Sequence, residues 1–321
     1  MRIKKTNKKK SNKNKTKKIN IENKTINCSP VVKKRRIDKN SCFTPEIIIE
    51  IKNAYNKNNP DNIIIYTNPE RIWWELKNRL DCKKEECLLD EIKDVYLKSK
   101  IRRFIFAPKQ PPEWKSNPDE WLSNYDIKDV AKQYEISHPE FKLIGPSMID
   151  FDTRLSEYGG KCVLEDLCNF NLANYIQAKR TKIGVIFNLD KHDQSGSHWV
   201  SLFIDIDNKF IFFFDSADND IPIEIWEENP KKNHNPLVNR IIEQGKTLGI
   251  DFVFYNNKGN QHQQTNSECG MYSLFFIITM LTRETPFSKG VMSIKECRDI
   301  FLKNRIPDKT VFGYRKLYFN N

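Results

Sequence analysis

The sequence predicts an α+β protein. Apolar residues recur at helical spacing up to about residue 104, a period of two sets in near 182, and an apolar helix opens at Cys269 behind a polar loop. With 38% hydrophobic and 12% aromatic residues, the 321-residue chain has material for a substantial core and for more than one domain.

Residues 1–40 form a low-complexity Lys/Asn segment without hydrophobic period. Such a segment cannot bury enough surface to offset its ordering entropy, and a disordered basic tail is expected. Between Met1 and Arg36 the only acid is Glu22, so the net charge of +12 is concentrated there, most densely at Lys33-Lys34-Arg35-Arg36. Residues 1–36 are therefore the expected place for non-specific nucleic-acid contact, weighed against an import signal or a plain solvated tail.

Residues 41–104 read as a small N-terminal helical domain. Pro45 suits a first helical turn and is followed by Ile47, Ile48, Ile49 and Ile51, with a break at Asn59-Pro60-Asp61. Trp73, Leu76 and Leu80 recur at helical spacing, as do Leu88, Ile92, Val95 and Tyr96. The third unit, residues 105–321, opens on the stiff segment Ala107-Pro108-Lys109-Gln110-Pro111-Pro112. A helix follows with Ile127, Val130, Ala131 and Tyr134 on one side, capped by Ser123 or Asn124. Ile183, Val185 and Phe187 alternate as a strand. Past the polar loop 190–197, apolar runs at 199–206 and 210–214 lie at hairpin spacing about Asp207-Asn208. A helix near 236–248, a strand at 252–255, a polar loop at 256–268 and the apolar helix from Cys269 complete the order.

Eight cysteines stand at 28, 42, 82, 87, 162, 168, 269 and 297. The charged N-terminus lacks the apolar stretch of a secretory signal, so free thiols in a reducing, intracellular compartment are expected. Neither Cys82 and Cys87 nor Cys162 and Cys168 has a His at zinc-finger spacing. Buried thiols are expected there, with no metal and no cofactor. The longest apolar run, 274–281, is too short to cross a bilayer, and no membrane partner is expected.

Three positions carry chemistry. His198 opens a strand after a polar loop, Asp215 lies 17 residues later just past the next strand, and Cys269 heads a helix. A helix N-terminus favours a thiolate over a thiol, an imidazole accepts the thiol proton, and a carboxylate behind the ring fixes its tautomer. Adjacent antiparallel strands bring the start of one beside the end of the next, which suits His198 and Asp215. The Cys269 N–H and the side-chain amide of Gln263 are candidate oxyanion donors, with Gln264 a rival to the latter. His192 competes with His198 as base, and His138 and His262 read as surface or packing residues.

The run Gln263-Gln264-Thr265-Asn266-Ser267-Glu268-Cys269-Gly270 resembles the Gln…(Asp/Glu)-Cys-Gly box of the ubiquitin-like-protein-specific cysteine proteases, which include the SUMO proteases and are related to the adenovirus protease. His198-Trp199, Phe214-Asp215-Ser216 and Trp121-Leu122-Ser123-Asn124 resemble three further boxes of that family in the same order. The resemblance covers about residues 105–285. It implies a papain-like core, a central mixed or antiparallel sheet between helices, and hydrolysis after Gly-Gly by a Cys-His-Asp triad. It also makes Trp199 the roof of a narrow substrate tunnel and Trp121 a second substrate-binding candidate. Glu268, the basic tail and the added helical domain are similar to the polyprotein-processing enzymes of large DNA viruses. A protein substrate, a virion and host-cytoplasm location and polyprotein maturation are therefore expected. Competing readings are a deconjugase of ubiquitin-like modifiers, an effector acetyltransferase of the same family, and a basic genome-binding core protein. Gly159-Gly160-Lys161 reads as a turn or as a self-processing site.

Overall fold

In the computed structural model, which describes residues 26–230, 235–285 and 288–321, the N-terminal region is helical. Helices α1 (Pro45–Asn58), α2 (Pro69–Arg79) and α3 (Val95–Ile105) close around Ile48, Ile51, Ile72, Leu76, Leu88, Ile101 and Ile105. Pro45 and Pro69 stand in the first turns, and α1 ends at the Asn59-Pro60 break. Val95 and Tyr96 depart from the helical pattern read at 88–96: they open α3 on its exposed side, because residues 85–91 form a 3₁₀ segment that shifts the helical phase.

The expected disordered segment 1–40 needs correction over its second part. Residues 1–25 lie outside the described residues. Residues 26–40 pack on the helical domain, with Val32 fully buried, Ser29 N–H bonded to Ile105 C=O, and Cys28 bridged to Phe106. Ile26, Val32 and Ile37 supply the apolar contacts that the Lys/Asn composition masks. Lys33 and Arg35 reach Glu284 and Glu46.

The catalytic-domain candidate begins with α4 (Asn124–Ser137), whose N-cap Ser123 forms a reciprocal capping box with Asp126. Then come β1 (Phe141–Met148), the short hairpin β2 (Arg154–Leu155) and β3 (Lys161–Cys162), and the short helices α5 (Glu165–Cys168) and α6 (Leu172–Gln177). Gly159 and Gly160 hold positive φ in that hairpin, which accords with the turn reading. Next are β4 (Lys182–Asn188), β5 (Trp199–Asp205), β6 (Phe210–Phe214), α7 (Leu237–Thr247), β7 (Val253–Asn256) and α8 (Cys269–Thr282). Two amphipathic helices finish the chain, α9 (Ile294–Lys303) and α10 (Asp308–Tyr318).

The sheet order is β1-β4-β5-β6-β7, antiparallel in the middle and parallel at both edges. One face carries Ile186, Phe203, Phe212 and Phe214 against α4, α8, α9 and α10. The other carries Val185, Phe187, Leu202 and Phe213 against α6 and α7. Because both faces are covered, β5 and β6 are buried along their whole length and read as continuous apolar runs. Helix α8 is buried from Cys269 to Leu281 and crosses the sheet at close range. A Cβ on Gly184 would sit 3.1 Å from Ile277, so glycine is what lets helix and strand meet there.

The expectation of free thiols is overturned for Cys28 and Cys42, which are joined as a disulfide with a Cα separation of 5.1 Å. Cys82 and Cys87, and Cys162 and Cys168, stand side by side with Cα separations of 6.0 and 6.3 Å. Those separations lie in the bridging range, and sequence spacing alone does not reveal the backbone turns that create them. Cys269 and Cys297 are free and buried.

Candidate active site

Strand pairing brings the site together. Asn188 faces Trp199 across β4 and β5, and Ser201 faces Phe214 across β5 and β6. His198 at the entry of β5 and Asp215 at the exit of β6 thus share one edge of the sheet. The ladder extends one step further, Leu189 N–H to His198 C=O. Asn188 Oδ1 accepts from the N–H groups of Asp190 and Ser197, and Asp190 accepts from Gly196 N–H and Ser197 Oγ. The polar loop before His198 is held by these bonds.

His198 Nε2 donates to Asp215 Oδ1 at 2.6 Å, and the Cys269 side chain is a second neighbour that favours the charged ring. The imidazole side chain is 15% exposed and Asp215 3%. Burial disfavours a charged ring. The hydrogen bond to Asp215 and the Cys269 side chain, with their Coulombic attraction, outweigh it and carry the imidazole from 6.5 up to about 10. Burial likewise pushes against ionisation of Asp215, but the His198 contact and the N–H groups of Ala217 and Asn219 hold its carboxyl below the usual range.

Asp215 is locked by residues that sequence reasoning did not single out. Asn219 donates to Oδ2 from its backbone N–H at 3.0 Å and from its side-chain amide at 2.9 Å. Asn257 clamps the Asp215 backbone from both sides, accepting from its N–H and donating to its C=O. Asparagines in polar loops look like turn residues, so their only advance signal was proximity to the ends of β6 and β7.

Cys269 occupies the first position of α8, where backbone N–H groups have no intrahelical acceptor. It is 2% exposed. The next residue must be small: a Cβ on Gly270 would meet Leu122 at 3.2 Å and Trp199 at 3.3 Å. Trp199 is buried in the core on the α8 side of the sheet, its indole N–H bonded to Leu122 C=O, so it forms a wall beside the nucleophile's helix. Trp121 is partly exposed next to it.

Gln263 is buried, and its Oε1 accepts from Ser216 Oγ at 2.8 Å, which turns the amide nitrogen the other way, to Thr265 C=O. Its own N–H binds Ser216 C=O, so the loop is tied to the residue after Asp215. Gln264 is exposed, with its backbone on Asp308. As the candidate oxyanion donor, Gln263 replaced by alanine is expected to lower kcat by about 10²–10³-fold, the usual loss when one such donor is removed, with folding retained in a thermal melt.

His192 lies outside the cluster. Its Nδ1 pairs with Asp150 at 2.6 Å, and it takes no part in the His198 contacts. His262 is a packing residue: its Nδ1 accepts from Ile306 N–H, its Nε2 donates to Phe301 C=O, and burial lowers its pKa. His138 stacks on Tyr134.

Glu268 forms a buried ion pair with Arg315 of α10, at 2.7 and 3.1 Å. Arg315 also donates to the carbonyls of Pro118 and Glu120 and lies over the Trp114 ring. Burial raises the Glu268 carboxyl, and the Arg315 contact only partly offsets it. The residue before the nucleophile is thereby tied to the segment leading into Trp121. Among the described residues no cluster of three or more His, Cys, Asp or Glu side chains could hold a metal ion, and no helix is long and apolar enough to cross a membrane.

Residues 178–306 match the C-terminal catalytic domain of the Ulp1 protease family. The R355 protein of Acanthamoeba polyphaga mimivirus, named as a thiol protease, is 30% identical over 308 residues, covering 88% of this chain and 94% of that one. The cysteine protease S273R of African swine fever virus (strain Badajoz 1971 Vero-adapted) is 26% identical over 262 residues, 76% and 85% of the two chains. The crystal structure of the African swine fever virus pS273R protease superposes with a TM-score of 0.57 at 20% identity, covering 92% of this chain and 96% of that one. With a relative of this identity along nearly its whole length, the chain belongs to the Ulp1 protease family of cysteine peptidases, beside relatives from large DNA viruses.

Proposed function

We propose that this peptidase hydrolyses peptide bonds after Gly-Gly through Cys269, His198 and Asp215, and that its substrates are structural polyprotein precursors matured in the virion and host cytoplasm. The observation that carries the reading is the His198 ring bonded to Asp215, with Cys269 at the head of α8 as the other group that favours its charged form. In the first step His198 takes the thiol proton and the sulfur attacks the scissile carbonyl carbon. The oxyanion that forms is met by the Cys269 N–H and the Gln263 amide. The imidazolium passes its proton to the leaving amine, and the carbonyl re-forms as a thioester. Water, deprotonated by the same ring, then attacks that thioester, and the sulfur leaves and regains its proton. Asp215 keeps the ring oriented and supports its positive form.

A second reading, removal of a ubiquitin-like modifier from lysine, is favoured by a relative 24% identical and named SUMO-1 cysteine protease from African swine fever virus. The Lys/Arg-rich residues 1–36 would add non-specific nucleic-acid contact in either case. The test is a Gly-Gly peptide carrying an electrophile at its C-terminus, with intact mass and peptide mapping as readout. A single adduct on Cys269, absent from Cys269→Ala, is expected, with turnover of short Gly-Gly-X peptides. Adduct elsewhere would overturn the site, and turnover confined to folded modifiers would favour the second reading.

A further inference from the structure

A cavity of about 560 Å³ lies between α3 and α4, where the N-terminal domain meets the catalytic one, and none of the active-site residues lines it. Its size is that of a ligand pocket. Six cations line it, of which Arg102 and Lys109 pair with Glu86 and four do not: Lys84, Lys100, Arg103 and Lys132. Among the described residues, none of the four has a carboxylate within ion-pair distance, and all four are exposed. Glu86 on the same wall is already engaged by Arg102 and Lys109, which leaves Asp129 as the opposing side chain. Ile26, Phe104, Pro108 and Ile136 give the wall an apolar part, beside the neutral polar Gln133, Asn320 and Asn321. Ile136 is half exposed.

We infer that this pocket is an exosite for an acidic peptide segment that carries bulky apolar side chains. The cations select a negative partner, and the apolar wall supplies burial that a bare anion would not use. The chain's own residues 1–25 are excluded as occupant by charge, since they hold Glu22 as their one acid among many Lys and Arg. Nucleic acid is disfavoured by the wall: Phe104 packs against the N-terminal core, Phe106 is buried edge-on to Phe43, and Ile26, Pro108 and Ile136 offer no ring face on which a base would stack. The pocket is built on rigid parts. Gln133 of α4 donates to the carbonyls of both Arg103 and Phe106, joining the two walls. The same helix starts beside Leu122, whose carbonyl holds Trp199, so an occupant bears on an element that reaches the active site.

The test is fluorescence anisotropy on the full chain with a short labelled peptide alternating Glu with Phe and Leu. It needs no turnover, so its failure is separable from failure of the protease assignment. Saturable binding is expected that weakens with salt and falls about tenfold or more in Arg103→Glu/Lys132→Glu, while hydrolysis of a short Gly-Gly peptide is unchanged. A control peptide with Lys in place of Glu is expected not to bind. If the double variant melts early, Lys100→Glu replaces it, since that side chain is exposed. Absent saturation, or binding indifferent to these reversals, overturns the exosite. So does a single-stranded oligonucleotide that binds in their place and is lost on the same reversals.

Discussion

On the proposed mechanism, replacing His198 by alanine is expected to lower kcat by about 10⁶-fold, and Asp215→Asn by about 10⁴-fold, because a nucleophile, its base and the orienting carboxylate act as one unit. The pH dependence separates this from simple damage. The ring must carry a proton to the leaving amine, so activity should persist into alkaline solution and fall only as the imidazole titrates, near 10. In Asp215→Asn the strongest support for the charged ring is gone while burial remains, so the alkaline limb of kcat/KM moves down. A limb that stays in place would show that Asp215 does not face the reacting ring. The same shift bears on stability. The pKa of His198 is higher folded than unfolded, so the pairing stabilises the fold fully below about 6.5, and that contribution fades as pH rises to about 10.

Arg315→Met is expected to cost about 3–5 kcal/mol, since it strands the buried Glu268 carboxylate without a partner. Replacing both residues by methionine should recover much of that loss, though not all of it. The carbonyls of Pro118 and Glu120 would still lack the donors that Arg315 gives them. Denaturant titration of the two single variants and the double one measures the coupling. A coupling energy near zero would mean that the ion pair does not hold the head of α8. The double variant should also keep less activity than its stability suggests, because Glu268 directly precedes Cys269.

Residues at element boundaries made the candidate triad readable. His198 follows a polar loop, Asp215 ends an apolar run and Cys269 starts one, so local pattern pointed to all three positions. Supports that depend on distant chain were not readable. Arg315 lies on an amphipathic helix whose period announces a buried face but not a charge on it. Asn219 and Asn257 resemble ordinary loop residues until the ends of β6 and β7 are side by side. Strand β1 escaped because Gly145-Pro146 interrupts it; its parallel pairing with β4 shifts register there and resumes at Ser147. The packing of residues 26–40 was hidden by composition, because three apolar side chains carry it in a stretch dominated by Lys, Arg and Asn. The cysteine pairings were equally out of reach, since each depends on how the backbone turns back on itself.

The support that α10 gives to Glu268 has a consequence for biosynthesis. The ribosome makes Cys269 first and Arg315 only 46 residues later. A nascent chain therefore carries the candidate nucleophile before the guanidinium that settles the head of α8 exists. The head of α8 gains its buried counter-charge only once the last helix has been made.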